Sequence, residues 1–367
     1  MPQIDRLTAR PEEGRGTKDI LELEEYEIVY KYMRYKYTTD KTVSQQERLK
    51  RRMFANIVGI LANTGLRPKE LLGLYWHEIK VNKNDHREIQ LESGKWLQTI
   101  FNKMKVAVVG ATGLVGGEMI QVLEERGFPV SELIPLASVK SLGSVVNFQD
   151  KDVDVQVARP EAFENVDIAL FSAGGGLSKE LAPEAAKRGA VVIDNSSAWR
   201  MDPEVPLVVP EVNPDAIAGY KVKNIIANPN CSTIQMVVAL APLHAKAGLN
   251  RVTVSTYQAV SGAGREAMDE LREQVGLLFR GEDIEPSIFP HPIAFNAIPR
   301  IDVPSDDGYT KEEWKMVYET RKIMGLPDLP VTPTCVRVPV FNGHAESIIA
   351  EFDSPLSVEE AREVLKD

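Results

Sequence analysis

The residue best suited to covalent chemistry is Cys231, which lies in the stretch NPNCSTIQ at residues 228–235. Apolar residues recur after it at helical spacing, so we expect Cys231 in the first turn of a helix capped by Asn230 or Ser232. Unpaired backbone N–H groups and the helix dipole favour a thiolate there. Most free cysteines are buried structural residues. Because its neighbours are polar, we interpret Cys231 as a reactive nucleophile.

A glycine-rich turn follows the first apolar strand of the region that contains Cys231. Residues 105–109 (KVAVV) lead directly into residues 110–116 (GATGLVG) and a helix that runs to about Arg126. The glycines let the backbone approach a pyrophosphate closely, and the helix N-terminus supplies N–H groups to it. A glycine pattern alone is weak, but this one lies between a strand and a helix. The context predicts a dinucleotide site.

A second strand, residues 133–137, ends in hydroxyl and lysine side chains. Ser138, Lys140 and Ser141 lie about where NAD-specific folds place an acidic residue for the ribose 2′-hydroxyl. Hydroxyls with a lysine suit a 2′-phosphate instead. These residues favour NADP over NAD, with an ordinary polar loop as the alternative.

Strands and helices alternate through the next part of the chain. Strands at residues 166–171 and 191–194 flank a helix at residues 177–188, which predicts a parallel, doubly wound sheet with ligands at the carboxyl ends of its strands. Arg200, close after the second of these strands, is either a surface ion-pair residue or an anion clamp. Mixed strands and helices beyond the Cys231 helix, including a strand around residues 335–340, predict a second, α+β domain.

The chain changes character near residue 103. Residues 1–103 hold 19 lysines and arginines against 15 aspartates and glutamates, whereas the remainder holds 24 against 38. We expect a mostly helical segment over 1–103, a Rossmann-type NADP-binding domain over 104–232, and an α+β substrate, catalytic and dimerisation domain over 233–355. Residues 356–367 would begin a return to the Rossmann-type domain. The acidic part is not expected to bind nucleic acid.

Residues 63–76 resemble the start of the catalytic domain of tyrosine recombinases (phage integrases). The segment TGLR would supply that family's first catalytic arginine as Arg67. The later lysine, the His-x-x-Arg pair and the nucleophilic tyrosine do not follow, so we expect no DNA strand cleavage. An orphaned helical fragment, or an upstream gene-model fusion, is favoured. A DNA-binding remnant in residues 1–103 is the alternative.

Cysteine usage and hydropathy point to a reducing cytoplasm. Cys231 and Cys335 are the two cysteines of the 367-residue chain, too few for a disulfide framework. The sequence has neither a signal peptide nor an apolar run long enough to span a bilayer. It has no metal-ligand cluster either, so no metal cofactor is expected.

Four motifs occur in order after residue 104: GATGLVG from Gly110, NPNCST around Cys231, TYQAVSGAG ending at Gly264, and RVPVFNGH from Arg337 to His344. Together they make residues 104–367 resemble aspartate-semialdehyde dehydrogenase, since linked motifs are far more specific than any one. The resemblance implies NADPH-dependent reductive dephosphorylation of L-aspartyl-4-phosphate to L-aspartate-4-semialdehyde through a cysteine thioester. The product would feed lysine, methionine, threonine and isoleucine synthesis.

The resemblance also implies residue roles. Cys231 would be the nucleophile, His344 the acid/base, and Gln258 would position the substrate. Arg337 would hold the substrate carboxylate and Glu312 its amino group, while Arg200, Asn230 and Lys315 would surround the phosphate. The cofactor would contact Gly110, Thr112, Gly113, Leu114, Val115, Ser138, Lys140, Ser141, Ser172, Gly174, Ser261 and Gly262. Lys140 stands where many relatives have arginine, which weakens the expected grip on a 2′-phosphate.

The C-terminus departs from this family, whose members continue through a strand and a long helix that returns to the cofactor domain. That part also lines the nicotinamide site and the subunit interface of a homodimer or homotetramer. Its loss is expected to cost several kcal/mol against a typical margin of about 5–15 kcal/mol. We therefore expect a poorly stable chain with weak or no activity.

Other functions remain open at this point. N-acetyl-glutamyl-phosphate reductase shares the glycine turn and the thiol strategy, but NPNCST and the Arg337/His344 pair favour the aspartyl branch. An inactive fusion carrying a DNA-binding recombinase remnant is the alternative from a different class.

Overall fold

The structure is a computed structural model that describes residues 79–81, 89–91, 96–97 and 104–366. The chain divides into two compact units, Met1–Asn102 and Lys103–Asp367. The described residues of the first unit form an antiparallel sheet of three short strands in the order β1-β2-β3: β1 (Ile79–Val81), β2 (Ile89–Leu91) and β3 (Trp96–Leu97). No strands were expected here from the sequence, and the predicted helices and Arg67 lie outside the described residues.

The second unit begins with a parallel sheet. Its first strands are β4 (Met104–Val109), β5 (Val130–Ala137), β6 (Val145–Phe148), β7 (Lys151–Asp154), β8 (Gln156–Val157), β9 (Ile168–Phe171), β10 (Val191–Asp194) and β11 (Ile225–Ala227). Six of them pair in the order β11-β10-β9-β4-β5-β8, while β6 and β7 form a separate hairpin. The strand order reverses between β4 and β9, as in dinucleotide-binding folds. The predicted doubly wound sheet is confirmed.

Strand β4 is buried because it lies in the middle of the parallel sheet. Val106, Ala107, Val108 and Val109 are all inaccessible to solvent, as expected for a parallel strand covered on both faces. Helices α1 (Leu114–Glu125) and α2 (Gly175–Lys187) make crossovers between parallel strands. Ligands should therefore meet the sheet where β4, β5 and β9 end.

The rest of the chain forms a second sheet and the helices around it. Its elements are α3 (Cys231–Ala247), β12 (Leu249–Gln258), α4 (Arg265–Arg280), α5 (Lys311–Met324), β13 (Val331–Arg337), β14 (His344–Phe352) and α6 (Val358–Val364). β12 is central, parallel to β13 and antiparallel to β14, which confirms the α+β prediction. The predicted strand around residues 335–340 is wrong at its end, because β13 stops at Arg337. After it the Val338 N–H still donates to the Gln258 carbonyl (3.0 Å), but the Val340 N–H donates back to the Val338 carbonyl (2.8 Å), which ends the ladder.

Helix α3 joins the two parts of the second unit. Val237 packs in the core under the parallel sheet, while Met236 and Leu240 pack in the core of the second sheet. Helix α5 does the same with Ile323 and Met316. Both helices are thus held from two sides, which fixes the side chains at their N-termini. Among the described residues, no helix has the length and apolar character needed to cross a membrane.

Candidate active site

The ends of three neighbouring strands bring Gln258, Arg337 and His344 together. Gln258 ends β12, Arg337 ends β13 and His344 begins β14, and Gln258 is the register partner of both. Residues opposite one another in a ladder point to the same face. Gln258 is 2% exposed and Arg337 6%. The sheet register therefore builds a largely buried polar row from residues that are far apart in sequence.

Cys231 occupies the first position of α3, as predicted. Asn230 is the N-cap, and its side-chain oxygen accepts hydrogen bonds from the N–H groups of Ser232 (3.0 Å) and Thr233 (3.2 Å). Strand β11, which the sequence analysis missed, leads into this turn, and the N–H of Asn228 donates to the carbonyl of Asp194 (2.8 Å). Cys231 is thus tied to the edge of the parallel sheet.

The surroundings of Cys231 raise the pKa of its thiol above the usual value. Desolvation by nearby protein atoms is the largest cause, although part of the residue is exposed to solvent. The negative charge of Glu312 adds to the rise, while the Ser232 N–H and the Arg200 guanidinium oppose it. The net direction of the shift is opposite to what the helix start alone would give. The N–H groups act as expected, but burial and Glu312 outweigh them.

His344 is held as a neutral imidazole. Its Nδ1 accepts a hydrogen bond from the N–H of Ala259 (3.0 Å), and this bond assigns the ring proton to Nε2. Burial lowers the pKa of His344, and the charge of Arg337 lowers it further. Gly262 lies against both side chains, because a Cβ there would be 3.1 Å from Arg337 Nη1 and 3.5 Å from His344 Nε2.

Glu312 connects the helices to the strand row. Its Oε1 accepts hydrogen bonds from Asn230 Nδ2 (2.8 Å) and Gln258 Nε2 (3.1 Å), and its Oε2 accepts one from Lys315 Nζ (3.0 Å). Burial, the largest single effect, opposes ionisation. Lys315, Asn230 and Gln258 together nevertheless hold the pKa of Glu312 below its usual value. Lys315 also pairs with Asp302 (2.7 Å), a partner that the sequence analysis missed.

The residues predicted to surround a phosphate are only partly brought together. Arg200 and Lys315 line one cavity of about 200 Å³, together with Ser197 and Trp314. Asn230 does not line it, because its side chain caps α3 and donates to Glu312. The role of Asn230 as a direct phosphate contact stays a prediction.

The predicted cofactor residues gather mainly at the parallel sheet. Gly110 follows β4, Ser138 follows β5 and Ser172 follows β9, and these three strands are neighbours. Thr112 Oγ1 lies 3.2 Å from Ser141 Oγ, which links the glycine turn to the turn after β5. The remaining members of this group, Gly113, Leu114, Val115, Lys140 and Gly174, lie in the same turns or at the starts of α1 and α2. Ser261 and Gly262 instead follow β12.

The backbone around Gly110 fits a pyrophosphate. A Cβ on Gly110 would lie 2.8 Å from Ser172 Oγ, and a Cβ on Gly116 would lie 2.1 Å from the Gly110 carbonyl. Helix α1 begins at Leu114, and its N-cap residue Gly113 provides no side-chain cap. Within residues 104–366, its first N–H groups therefore have no side-chain acceptor and can meet an anion.

Sequence reasoning missed Glu319 and Lys322 on α5 and Thr256 on β12. Glu312, Lys315, Glu319 and Lys322 follow one another at intervals of three or four residues, so helical periodicity places all four on one face of α5. That spacing was the available signal. Residues 104–366 contain no cluster of histidine, cysteine and carboxylate side chains that could hold a metal ion.

Comparison with known families and structures agrees with this architecture. Residues 105–220 match the profile "Semialdehyde dehydrogenase, NAD binding domain", and residues 240–367 match "Semialdehyde dehydrogenase, dimerisation domain". The aspartate-semialdehyde dehydrogenase of Aquifex aeolicus is 60% identical over 265 residues, which cover 72% of this chain and 78% of that protein.

Two solved structures extend the comparison. Aspartate semialdehyde dehydrogenase II from Vibrio cholerae, complexed with ASA, is 53% identical with a TM-score of 0.72, over 72% of this chain and 79% of that chain. Aspartate semialdehyde dehydrogenase with NADP from Candida albicans is 27% identical with a TM-score of 0.56, over 72% and 76%.

The family matches begin at residue 105. They bear on the second unit, whereas the integrase-like resemblance of residues 63–76 stays a prediction. The parallel sheet, the glycine turn and the identity of 60% over 265 residues agree. This chain belongs to the aspartate-semialdehyde dehydrogenase family of oxidoreductases.

Proposed function

We propose that this chain catalyses NADPH-dependent reductive dephosphorylation of L-aspartyl-4-phosphate to L-aspartate-4-semialdehyde through a thioester on Cys231, in synthesis of the aspartate-derived amino acids. The observation that carries the proposal is the junction between α3 and the strand row. Asn230, directly before Cys231, and Gln258 both donate to the same oxygen of Glu312, at 2.8 Å and 3.1 Å.

Acyl transfer would begin at the sulfur of Cys231. The thiolate attacks the acyl carbon, the C–S bond forms, and the C–O bond to phosphate breaks with its electron pair leaving on phosphate. Arg200 and Lys315, which line one cavity, would hold the departing dianion by charge-assisted hydrogen bonds. Collapse of the later tetrahedral adduct breaks the C–S bond, releases the aldehyde and restores the thiolate.

Substrate binding would itself favour the thiolate. Glu312 raises the pKa of Cys231, and the substrate ammonium group would pair with Glu312. That pairing cancels part of the negative charge near the sulfur and so lowers the pKa of Cys231. Arg337, which donates one Nη1 hydrogen bond to the Ala259 carbonyl (2.6 Å), has other N–H groups to bind the substrate carboxylate.

His344 would act as a neutral acid with its proton at Nε2. The bond from the Ala259 N–H to Nδ1 keeps the second ring nitrogen occupied. A neutral donor next to Arg337 avoids placing two positive charges together. From Nε2 the imidazole can stabilise the oxyanion that develops on the reacting carbonyl and exchange a proton with it.

The cofactor would bind along the ends of β4, β5 and β9. When bound, NADPH supplies the hydride that reduces the thioester carbonyl. The turn at Gly110 and the start of α1 would hold the pyrophosphate. Ser138, Lys140 and Ser141 would hold the 2′-phosphate, and the relative from Candida albicans solved with NADP supports that choice.

Self-association is a further part of the proposal. The match of residues 240–367 to a dimerisation domain supports a homodimer. On the second sheet, Tyr257 is 46% exposed and Ile349 66%, which leaves an apolar surface that a second copy could cover.

The test is reduction of NADP⁺ by the full chain with L-aspartate-4-semialdehyde and inorganic phosphate. We expect turnover, weak because of the C-terminal departure from the family, that Cys231→Ala abolishes and Cys335→Ala retains, since Cys335 is fully buried. N-acetyl-glutamate semialdehyde should give at most a small fraction of the rate. Equal rates with both aldehydes, or full activity of Cys231→Ala, would contradict the proposal.

A further inference from the structure

One face of α5 presents four charges of alternating sign. Glu312 and Lys315 belong to the predicted substrate site, and Glu319 and Lys322 continue the same face toward the end of the helix. Glu319 is 1% exposed. A fully buried carboxylate is costly unless it is paired and hydrogen-bonded, so its partners carry information about its role.

Glu319 holds two parts of the candidate active site at once. Its Oε1 accepts a hydrogen bond from Arg200 Nη1 (3.0 Å), and its Oε2 accepts one from the N–H of Asn230 (2.6 Å). Asn230 immediately precedes Cys231. Burial raises the pKa of Glu319, and the charge of Arg200 opposes that rise. One carboxylate thus joins the Arg200 guanidinium, in the cavity that Lys315 also lines, to the start of α3 at Cys231.

Arg200 is fixed from three directions. Besides Glu319, it donates from Nε to the Asn228 carbonyl (2.9 Å) and from Nη2 to the Asn195 carbonyl (2.9 Å). A guanidinium has five N–H groups. Within the described residues, two of the five remain for an external anion, and their direction is set by the three bonds already made.

Lys322 fixes the backbone that carries Arg200. Its ammonium group donates to the carbonyls of Arg200 (2.8 Å), Asp202 (2.8 Å) and Val205 (2.9 Å). All three ammonium hydrogens are used in this way. The loop after β10 is therefore tied to the same helix face that carries Glu319.

We propose that Glu319 is a positioning residue for phosphate binding. Its carboxylate sets the orientation of the Arg200 guanidinium and its position relative to Cys231, and Lys322 holds the loop that carries Arg200. The proposal rests on the proposed function, since it assumes that phosphate binds at Arg200. A carboxylate beside an anion site opposes anion binding by its charge. Its presence is accounted for if orientation of Arg200 contributes more to phosphate binding than that repulsion removes.

The test uses Glu319→Gln in the full chain. Glutamine has the same size but a single acceptor oxygen, so it satisfies either Arg200 or the Asn230 N–H and not both. Phosphate affinity is read from the inorganic phosphate concentration that halves the rate of alkylation of Cys231 by iodoacetamide, with Cys231→Ser giving the background. We expect that concentration to rise about tenfold, as for loss of one charge-assisted hydrogen bond. NADPH affinity, from fluorescence titration, should change less than about twofold.

The sign of the change decides the role. A carboxylate that acted only by its charge would give tighter phosphate binding in Glu319→Gln, and a merely structural one would leave the affinity of the folded protein unchanged; either result overturns the proposal. Glu180→Gln, an exposed carboxamide substitution on α2, should match the wild type.

Two further outcomes distinguish failure of the proposed phosphate site, or of folding, from failure of the proposal about Glu319. If phosphate fails to protect Cys231 in the wild type, the proposed phosphate site fails, and the proposal about Glu319 fails with it. If Glu319→Gln does not fold, Glu319→Asp decides. Aspartate keeps the charge but is too short to reach both partners, so weaker phosphate binding supports positioning and unchanged binding contradicts it.

Discussion

Two parts of the candidate site, the cofactor region around Gly110 and the catalytic region around Cys231, are held together by different kinds of contact. Around Gly110 the contacts come from backbone and hydroxyl groups, such as the bond from Ser172 Oγ to the Val109 carbonyl (3.0 Å). Around Cys231 they come from buried charged side chains that neutralise one another, including Glu312 and Glu319. The first region should therefore be sensitive to shape and the second to charge.

The largest expected effect breaks the shape of the cofactor region. In Gly116→Ala the new Cβ would lie 2.1 Å from the Gly110 carbonyl oxygen, and backbone must move to relieve the clash. We expect the free energy of unfolding to fall by about 3 kcal/mol and NADPH binding to be lost. Urea unfolding and NADPH fluorescence measure the two effects.

Gly117→Ala is the matched control, one residue along the same helix. No atom lies within 4 Å of a Cβ at that position, so alanine should stabilise α1 by about 0.5–1 kcal/mol. Equal effects of the two substitutions would show that helix propensity, and not the close approach of two backbones, governs this region.

The next effect tests the charge of the catalytic region. Glu312→Gln leaves Asn230, Gln258 and Lys315 with a neutral partner, and we expect kcat/KM to fall about a hundredfold. The pKa of Cys231 should fall at the same time, because the charge of Glu312 raises it. Steady-state kinetics and the pH profile of Cys231 alkylation read the two quantities, while NADPH affinity should stay unchanged.

The adjacent Glu313 provides a contrast. It is also buried, but its carboxylate forms a capping box with Thr310, whose N–H donates to it (2.7 Å), and accepts a second hydrogen bond from the N–H of Cys335 (3.1 Å). Glu313→Gln should cost about 1–2 kcal/mol of folding stability and leave the alkylation profile of Cys231 in place. A shifted profile would show that the charge of Glu313 also affects the pKa of Cys231.

The difference between the regions also decides what sequence could predict. The glycine turn at Gly110 is local: strand, turn and helix are adjacent in the chain, so their pattern predicts both the fold and the phosphate-binding backbone. The position of Cys231 at a helix start was predictable for the same reason. Gln258, Arg337 and His344 were named only through resemblance to a family, because strand register brings them together.

Other features depended on short elements and on contacts between distant residues, which no sequence pattern indicates. β11 is three residues long and escapes a search for apolar runs, yet it delivers Asn228 to the sheet. The direction of the Cys231 pKa shift depends on burial and on Glu312, which lies on another helix. Glu319 was identifiable as a member of the Glu312 face, but its partners Arg200 and Asn230 come from two separate turns.

A smaller effect concerns Glu346 on β14, a carboxylate that pairs with no cation among the described residues. Neither of its oxygens is accessible to solvent, and within residues 104–366 neither has a partner at good hydrogen-bond geometry, the Gln235 amide making only a weak contact. Burial raises its pKa to about 7, with a minor opposing effect of Gln235. Since the folded pKa lies above the unfolded one, the protonated group contributes stability below about pH 4.5 that is lost as pH rises through about 7.

The wild type should therefore lose about 1–3 kcal/mol of unfolding free energy across that pH window relative to Glu346→Gln. Urea unfolding at several pH values measures the difference between the two proteins. Glu351→Gln, exposed on the same strand, should keep the wild-type profile. If Glu346→Gln also keeps it, the carboxylate is ionised and solvated when folded, and the catalytic region holds no unpaired buried acid.

The smallest expected effect tests whether the strand row depends on hydrogen bonds as well as charge. Thr256, fully buried beneath the row, donates from Oγ1 to Gln258 Oε1 (2.9 Å), so that Gln258 Nε2 points to Glu312. Thr256→Val keeps the volume and removes this donor, and the Gln258 amide becomes free to turn over. We expect kcat/KM to fall about fivefold, equivalent to about 1 kcal/mol. Kinetics equal to those of the wild type would show that Glu312 alone orients Gln258.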